Sequence, residues 1–424
     1  MRRASYLLIL GLVALAVGAP ARADAGHQGA ETAAAWNELA LDAVRVTRAT
    51  DANATRLYAI LNVAMYDAVN GITGERSAAL VTGSGHGDPR AAAVAAAHAV
   101  LVRLDPDRTA AYDARRDADL AGIHPAHRRN AGARWGAHVG ETVVAARADD
   151  GSSPPQSQPA GAGPGVFRAE WSGTQYRDVR PFAVADPGAH VPGPPPALDS
   201  LDYAAAFAEV ALLGNAAIPA PDKLATYQYW SLPAGSVQPA GEWLRIALGV
   251  TTDRHLSLDR TVRLLALLGM ASADTTVATV RTKYQYRHWR PTTAIREADT
   301  DGNPYTQPDP AWAARAGSAG GTPEYVSGHS SYSAAGATVL AGFFCADGIG
   351  FTHTTDSAPG GVPRSYPGFA AAAAEAGRSR VFGGQHFEFS NQVGLAVGRG
   401  VAREVLAGSL LTVDGPTHIG ECPR

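Results

Sequence analysis

The chain has 424 residues, a formal charge of −3 and an isoelectric point near 6.5, so it lacks the positive excess that binding duplex nucleic acid requires. This length can bury a large core, as one big domain or two. Its only cysteines, Cys345 and Cys422, are too few for a cysteine-rich metal site.

The first residues read as an export signal. Arg2 and Arg3 precede an apolar run from Tyr6 to Val17, and Ala21-Arg22-Ala23 forms a small-residue cleavage site. The run is too short to span a bilayer, and no later stretch reaches the ~18 uninterrupted apolar residues a span requires. Residues 1–23 are therefore predicted to be a signal peptide cleaved near Ala23, with an uncleaved anchor as the alternative. The mature protein is expected to be secreted or periplasmic, where Cys345 and Cys422 are expected to pair.

Helical periodicity dominates the rest of the chain. Trp36, Leu39, Ala40, Ala43 and Val44 define one helical face; Leu57, Ile60, Leu61, Ala64 and Ala68 define a second, with Asp51 or Asn53 as its cap and Gly71 as its stop. Alanine-rich helices are predicted over 88–104, 107–121 and 125–148. Residues 150–197, dense in Gly, Pro, Ser and Gln, read as a long surface connection between two helical halves, 24–149 and 198–424. Helices resume at 199–214, 221–231, 237–249 and 256–286, then at 329–344 and 386–407, where Gly394 and Gly398 sit one turn apart and permit close helix contact. Two-residue alternation is almost absent, so the predicted fold class is all-α with little sheet.

Three segments of the last third carry chemistry. In "KYQYRHWRP", Lys283 and Arg290 are seven positions apart; on a continuous helix they share a face, about 10 Å apart along the axis, with Pro291 as the stop. In "PEYVSGHSSYS", Ser327, Gly328 and His329 open an apolar helix, whose free N–H groups and positive dipole end favour an anion. In "SRVFGGQHFEFSN", Arg380 offers a planar fork, Gly383-Gly384 a tight turn and His386 an imidazole at a helix start. Each segment alone has a bland reading: a solvated ion pair, an ordinary Ser cap, a structural histidine. Together they provide three cations, a helix N-terminus, a hydroxyl and two imidazoles, the inventory that holds a trigonal or tetrahedral oxyanion. The Asp299–Asn303 run "DTDGN" is a plain turn, since it lacks a calcium loop's ligand order. His124 and His127 have no metal-ligand partners and read as surface residues.

The spacing Lys-x6-Arg-Pro, Ser-Gly-His and Ser-Arg-x3-Gly-x-His resembles the signature of the type 2 phosphatidic acid phosphatase and vanadium-dependent haloperoxidase superfamily. "WRPTTAIREADTDGNP", "AWNELALDAVR" and "LYAILNVAMYDAVN" resemble its soluble bacterial vanadium chloroperoxidase-like branch. The resemblance implies a helical-bundle fold of two halves, with residues 198–424 carrying the active site. It also implies oxyanion binding by Lys283, Arg290, Arg380, Ser327 and Gly328, with His386 as the vanadium ligand and His329 as the acid–base residue; Lys283, His329 and His386 form the catalytic set. The implied cofactor is vanadate, and the implied activity is oxidation of halide by hydrogen peroxide.

Two alternatives stay open. One is an acid phosphatase that uses His386 to form a phosphohistidine on phosphomonoesters without a cofactor; the other is a non-catalytic oxyanion-binding protein. Ser390 stands where the phosphatase pattern often carries an Asp that orients the second histidine, with Glu388 nearby, and Val326 replaces the common Pro before Ser-Gly-His.

Overall fold

The computed structural model describes the backbone of residues 21–413, 418–419 and 422–423, and side chains over 30–413. Of the predicted signal peptide 1–23, residues 1–20 lie outside the described residues. Helices α1 (Ala21–Thr47) and α2 (Asp51–Thr73) bury the two predicted faces, with Trp36, Ala40, Val44, Ile60, Leu61 and Ala64 fully enclosed. The cap of α2 is Thr50, whose hydroxyl accepts the Asn53 N–H, and its stop is Gly74 in the left-handed region. Neither Asp51 nor Asn53 caps the helix, and Gly71 does not stop it; Gly71 stays helical, and its bare Cα admits the Trp135 ring.

Helices α3 (Pro89–Leu104), α4 (Thr109–Ala121) and α5 (Ala126–Ala146) complete the first half. In the connection, β1 (Ser157–Gln158) pairs with β2 (Trp171–Ser172), and short 3-10 turns supply the remaining regular structure. This segment is not merely a surface strap. Phe167, Trp171, Tyr176 and Val179 are buried against Val277 and Val280 of the long helix Leu258–Tyr286. The buried Asp274 carboxylate of that helix accepts the successive N–H groups of Phe182, Ala183 and Val184 at 2.7, 2.8 and 2.9 Å. Composition missed this because the anchoring groups are backbone N–H, which every residue but proline owns.

The second half contains α6 (Leu201–Leu213), α7 (Pro221–Tyr229), α8 (Gln238–Asp253), α9 (Leu258–Tyr286), α10 (Pro291–Arg296) and α11 (Gly328–Phe344). The hairpin of β3 (Phe351–His353) and β4 (Arg364–Tyr366) precedes α12 (Phe369–Phe382) and α13 (Glu388–Gly408). A last two-residue pair joins β5 (His418–Ile419) to β6 (Cys422–Pro423). The chain is all-α apart from these small pairs. Among the described residues no helix is long and apolar enough to cross a membrane.

One apolar cluster runs from Trp36 and Ile60 through Leu264, Leu265 and Leu268 of α9 to Leu340 and Val401, with α9 as the axis. Two helix ends differ from expectation. Pro291 does not stop α9; it opens α10 at the position where its missing N–H is harmless. The stop is Arg287, left-handed at φ 50°, whose N–H returns to the Lys283 carbonyl. Lys283 and Arg290 therefore do not share one helical face. The helix α12 was also unanticipated, because its run of alanines has no strong polar–apolar contrast.

Gly394 and Gly398 act as predicted. A Cβ on Gly394 would lie 2.7 Å from the Ser327 carbonyl oxygen, and one on Gly398 would lie 2.0 Å from that of Ser331, so α13 meets α11 backbone to backbone. Backbone cannot swing aside as a side chain can. Gly398→Ala is expected to cost about 1–3 kcal/mol of stability, measured as a lower thermal midpoint. An unchanged midpoint would show that the helices part freely.

Candidate oxyanion site

The site forms where the ends of α7, α9 and α12 meet the starts of α10, α11 and α13. Its frame is the irregular, bent segment 322–326. Arg290, at the N-cap of α10, donates from Nε to the Thr322 carbonyl at 2.7 Å and from NH1 to the Gln385 carbonyl at 2.8 Å. Gly320, at φ 92°, lets the preceding loop close over this guanidinium: a Cβ there would come within 2.7 Å of Arg290 Cζ. Lys283, one turn before the end of α9, donates to the Pro323 carbonyl and lies 3.5 Å from that of Glu324. The two cations thus converge through a shared strap.

Arg380 lies in the last turn of α12 and stacks 5.1 Å over the Tyr227 ring. It donates to the Gln385 side-chain oxygen and, at 3.4 Å, to the Trp230 carbonyl, while its buried Nε has no hydrogen-bond partner. The next carbonyl, Ser231, accepts from His329 Nε2 at 3.1 Å. A carbonyl accepts only, so Nε2 carries hydrogen and Nδ1 is the basic nitrogen of the neutral ring.

Ser327 caps α11: its Oγ accepts the Ser330 N–H and lies 2.8 Å from Ser330 Oγ, whose own hydrogen goes to Asn391 Oδ1. Gly328 begins the helix with no side chain over the end. His386 lies just before α13, with Nε2 3.1 Å from Arg290 NH1 and Nδ1 2.9 Å from Glu324 Oε1.

Burial and mutual repulsion set the electrostatics. Burial, then neighbouring Arg290, hold the Lys283 ammonium well below its usual range. Burial lowers Arg290 to about 10, with Glu324 opposing and Arg380 adding to the fall; Arg380 is also lowered by burial. Both imidazoles are held well below their ordinary value, by burial first and then by Arg380 for His329 and Arg290 for His386. Lys283, Arg290, Arg380, His329 and His386 lie in this cluster, and Ser327 and Gly328 directly precede His329 at the start of α11. Together, the cationic side chains of Lys283, Arg290 and Arg380 surround two imidazoles that resist protonation, with a helix N-terminus and an unused guanidinium N–H beside them.

Sequence reasoning missed Glu324, Gln385, the 230–231 carbonyls and Asp51. Burial raises Asp51, the first residue of α2, to about 6 against the pull of Arg380 and Lys283. Glu388 has no part in the site: it pairs with Arg378 and accepts from Asn391 and Gln392. His124 and His127 are exposed, and the Asp299–Asn303 run is a turn in which Asp301 accepts the Asn303 N–H at 2.7 Å. Cys345 is disulfide-bonded; the Cys422 side chain lies outside the described residues.

Residues 263–415 match the family described as the VCPO second helical-bundle domain. The fold is that of the bacterial vanadium-dependent haloperoxidases. A bacterial vanadium-dependent iodoperoxidase structure aligns with a TM-score of 0.77 at 22% identity, covering 91% of this chain and 98% of the other. The apo and holo forms of a bacterial vanadium-dependent chloroperoxidase align at 0.64 and 0.61, with 16% and 18% identity. They cover 83% and 84% of this chain, and 92% of each partner. No curated protein matches the sequence.

Two outcomes are expected from the electrostatics of this site. A bound oxyanion relieves the cationic repulsion, so vanadate or phosphate at a hundred times its Kd is expected to add about 2.7 kcal/mol of stability; thermal melts against chloride at equal ionic strength test this. Asp51 is protonated below about 6 and negative above it. Affinity for sulfate, whose own charge stays constant over this range, is therefore expected to fall as pH rises through 6, and Asp51→Asn to flatten the profile in calorimetric titrations. An identical slope in the variant would remove Asp51 from the site.

Proposed function

We propose that the protein is a vanadium-dependent haloperoxidase, oxidising halide with hydrogen peroxide. The reading is carried by one observation: His386 places its Nε2 3.1 Å from Arg290 NH1, at the buried cluster of Lys283, Arg290 and Arg380. A tetrahedral oxyanion metal fits this donor set, which offers one imidazole lone pair and cations or N–H groups for the oxygens.

In this reading Arg290 and Arg380 would hold oxygens of the oxyanion, with the partnerless Nε of Arg380 available for one of them. The Gly328 N–H would supply a further donor, the Ser327 O–H would turn to it from Ser330 Oγ, and Lys283 would place its ammonium where charge develops. His386 is the vanadium ligand. Vanadate, when bound, supplies the Lewis acidity that activates peroxide. His329, pinned through Nε2 to Ser231, takes and returns protons at Nδ1. The disulfide at Cys345 supports an oxidising compartment, and so export by a signal ending near Ala23. Within this reading, 24–149 and 198–424 are the two helical regions, and the second holds the cluster.

A phosphatase is the second reading, favoured by the Glu324 carboxylate on His386 Nδ1, which supplies the partner a phosphohistidine nucleophile needs. Vanadate titration followed by bromination of a phenol with peroxide, beside a phosphomonoester assay, separates the two. Fast phosphomonoester turnover that vanadate merely inhibits, with no halogenation, overturns the first reading. His386→Ala is expected to abolish vanadium binding and turnover together. His329→Ala is expected to keep most binding and lose about 10²–10⁴-fold in turnover; the opposite pattern would exchange the two roles.

A further inference from the structure

We propose that Glu324 is the positioning residue of the site, locking His386 as the Nδ1–H tautomer so that its Nε2 lone pair faces the cationic cluster. What that lone pair binds rests on the haloperoxidase reading; the tautomer does not.

The ring's hydrogen-bond partners leave one assignment. Arg290 NH1 has only hydrogens to offer, so at 3.1 Å it makes His386 Nε2 an acceptor. The proton of the neutral ring is then on Nδ1, 2.9 Å from Glu324 Oε1. The same Oε1 already accepts the Phe387 N–H at 3.0 Å, so toward the imidazole it acts as an acceptor as well.

Glu324 is itself fixed from several sides. Its N–H donates to the His288 carbonyl at 2.9 Å. Oε1 also accepts the Phe387 N–H at 3.0 Å, which ties the carboxylate to the residue after the imidazole. Ser390 Oγ donates to the Glu324 carbonyl at 3.2 Å, and Oε2 faces His288 Nδ1 at 3.5 Å. A carboxylate with no solvent exposure, held by backbone on both flanks, cannot follow a wandering ring; the ring follows it. This also accounts for Ser390 at the position where the resemblance expects Asp: the carboxylate arrives from the strap before α11, and Ser390 braces that strap. Glu388 cannot substitute, since both its oxygens are engaged elsewhere.

The test begins with the anion-free wild-type protein and needs no variant to fold. Nitrogen NMR of histidine-labelled protein, with His386→Gln for assignment, should show a neutral His386 bearing hydrogen on Nδ1; hydrogen on Nε2 overturns the proposal. Equilibrium dialysis against vanadate then compares variants whose thermal melts are intact. Glu324→Leu keeps the approximate side-chain size and removes the acceptor, so affinity is expected to fall about 10–100-fold. Glu324→Gln keeps an acceptor for Nδ1–H, and is expected to hold the tautomer and lose less affinity. Wild-type affinity in Glu324→Leu, or an equal loss in both variants, overturns positioning. If the wild-type protein binds phosphate and not vanadate, the haloperoxidase reading fails by itself, and the same comparison is made with phosphate.

Discussion

The structure depends on holding three cationic side chains where burial opposes their charge. Lys283, Arg290 and Arg380 are each no more than 6% exposed, and desolvation of unpaired charge is among the largest penalties a protein interior imposes. Close-range help comes mostly from neutral oxygen: the carbonyls of Thr322, Pro323, Trp230 and Gln385. A carbonyl supplies a partial negative charge without cancelling the positive field. Full pairing with carboxylates would have made a stable core and left no attraction for an anion. Glu324, the fully buried carboxylate of the site, directs its Oε1 to His386 and the Phe387 N–H instead of to a cation.

That arrangement explains the route of the chain. Helix ends must gather at one place, because only there are backbone groups free of their own helix. The last turns of α9 and α12 deliver Lys283 and Arg380, and the first residues of α10 and α11 deliver Arg290 and the Ser327-Gly328 amides. The apolar cluster around α9 holds these ends in register. The glycine contacts of α13 on α11 bring the segment with His386 close to Ser327.

The sequence revealed most of this in its side chains and little in its backbone. Helix faces such as Trp36–Val44 were legible because burial follows the helical period. The seven site residues were legible because a cation, a small residue and an imidazole at fixed spacing are rare together. Four features were not. Glu324 lies between a proline and a tyrosine, in no periodic element, and its partner is 62 residues away. Arg287 ends α9 by a left-handed turn that no glycine announces. The Pro/Gly-rich connection packs through N–H groups on Asp274, which composition cannot mark. Asp51 reads locally as a helix cap, a task that falls to Thr50, and its link to Lys283 and Arg380 exists only in three dimensions.

The same field that attracts an anion also governs the protons. His329 and His386 are neutral because burial and the adjacent guanidiniums oppose a further positive charge. A multiply charged oxyanion placed among those cations would offset their positive potential, and an imidazole that resisted a proton would then gain affinity for it. His386 has no use for that change, since its Nδ1 already bears hydrogen and its Nε2 faces the cluster. His329 has its basic Nδ1 uncommitted, as Nε2 is spent on Ser231. Ligand binding therefore raises proton affinity at one of the two rings, the one free to pass a proton on. The division between a fixed histidine and a titrating one arises from which carbonyl or carboxylate each ring meets, not from any difference between the rings themselves.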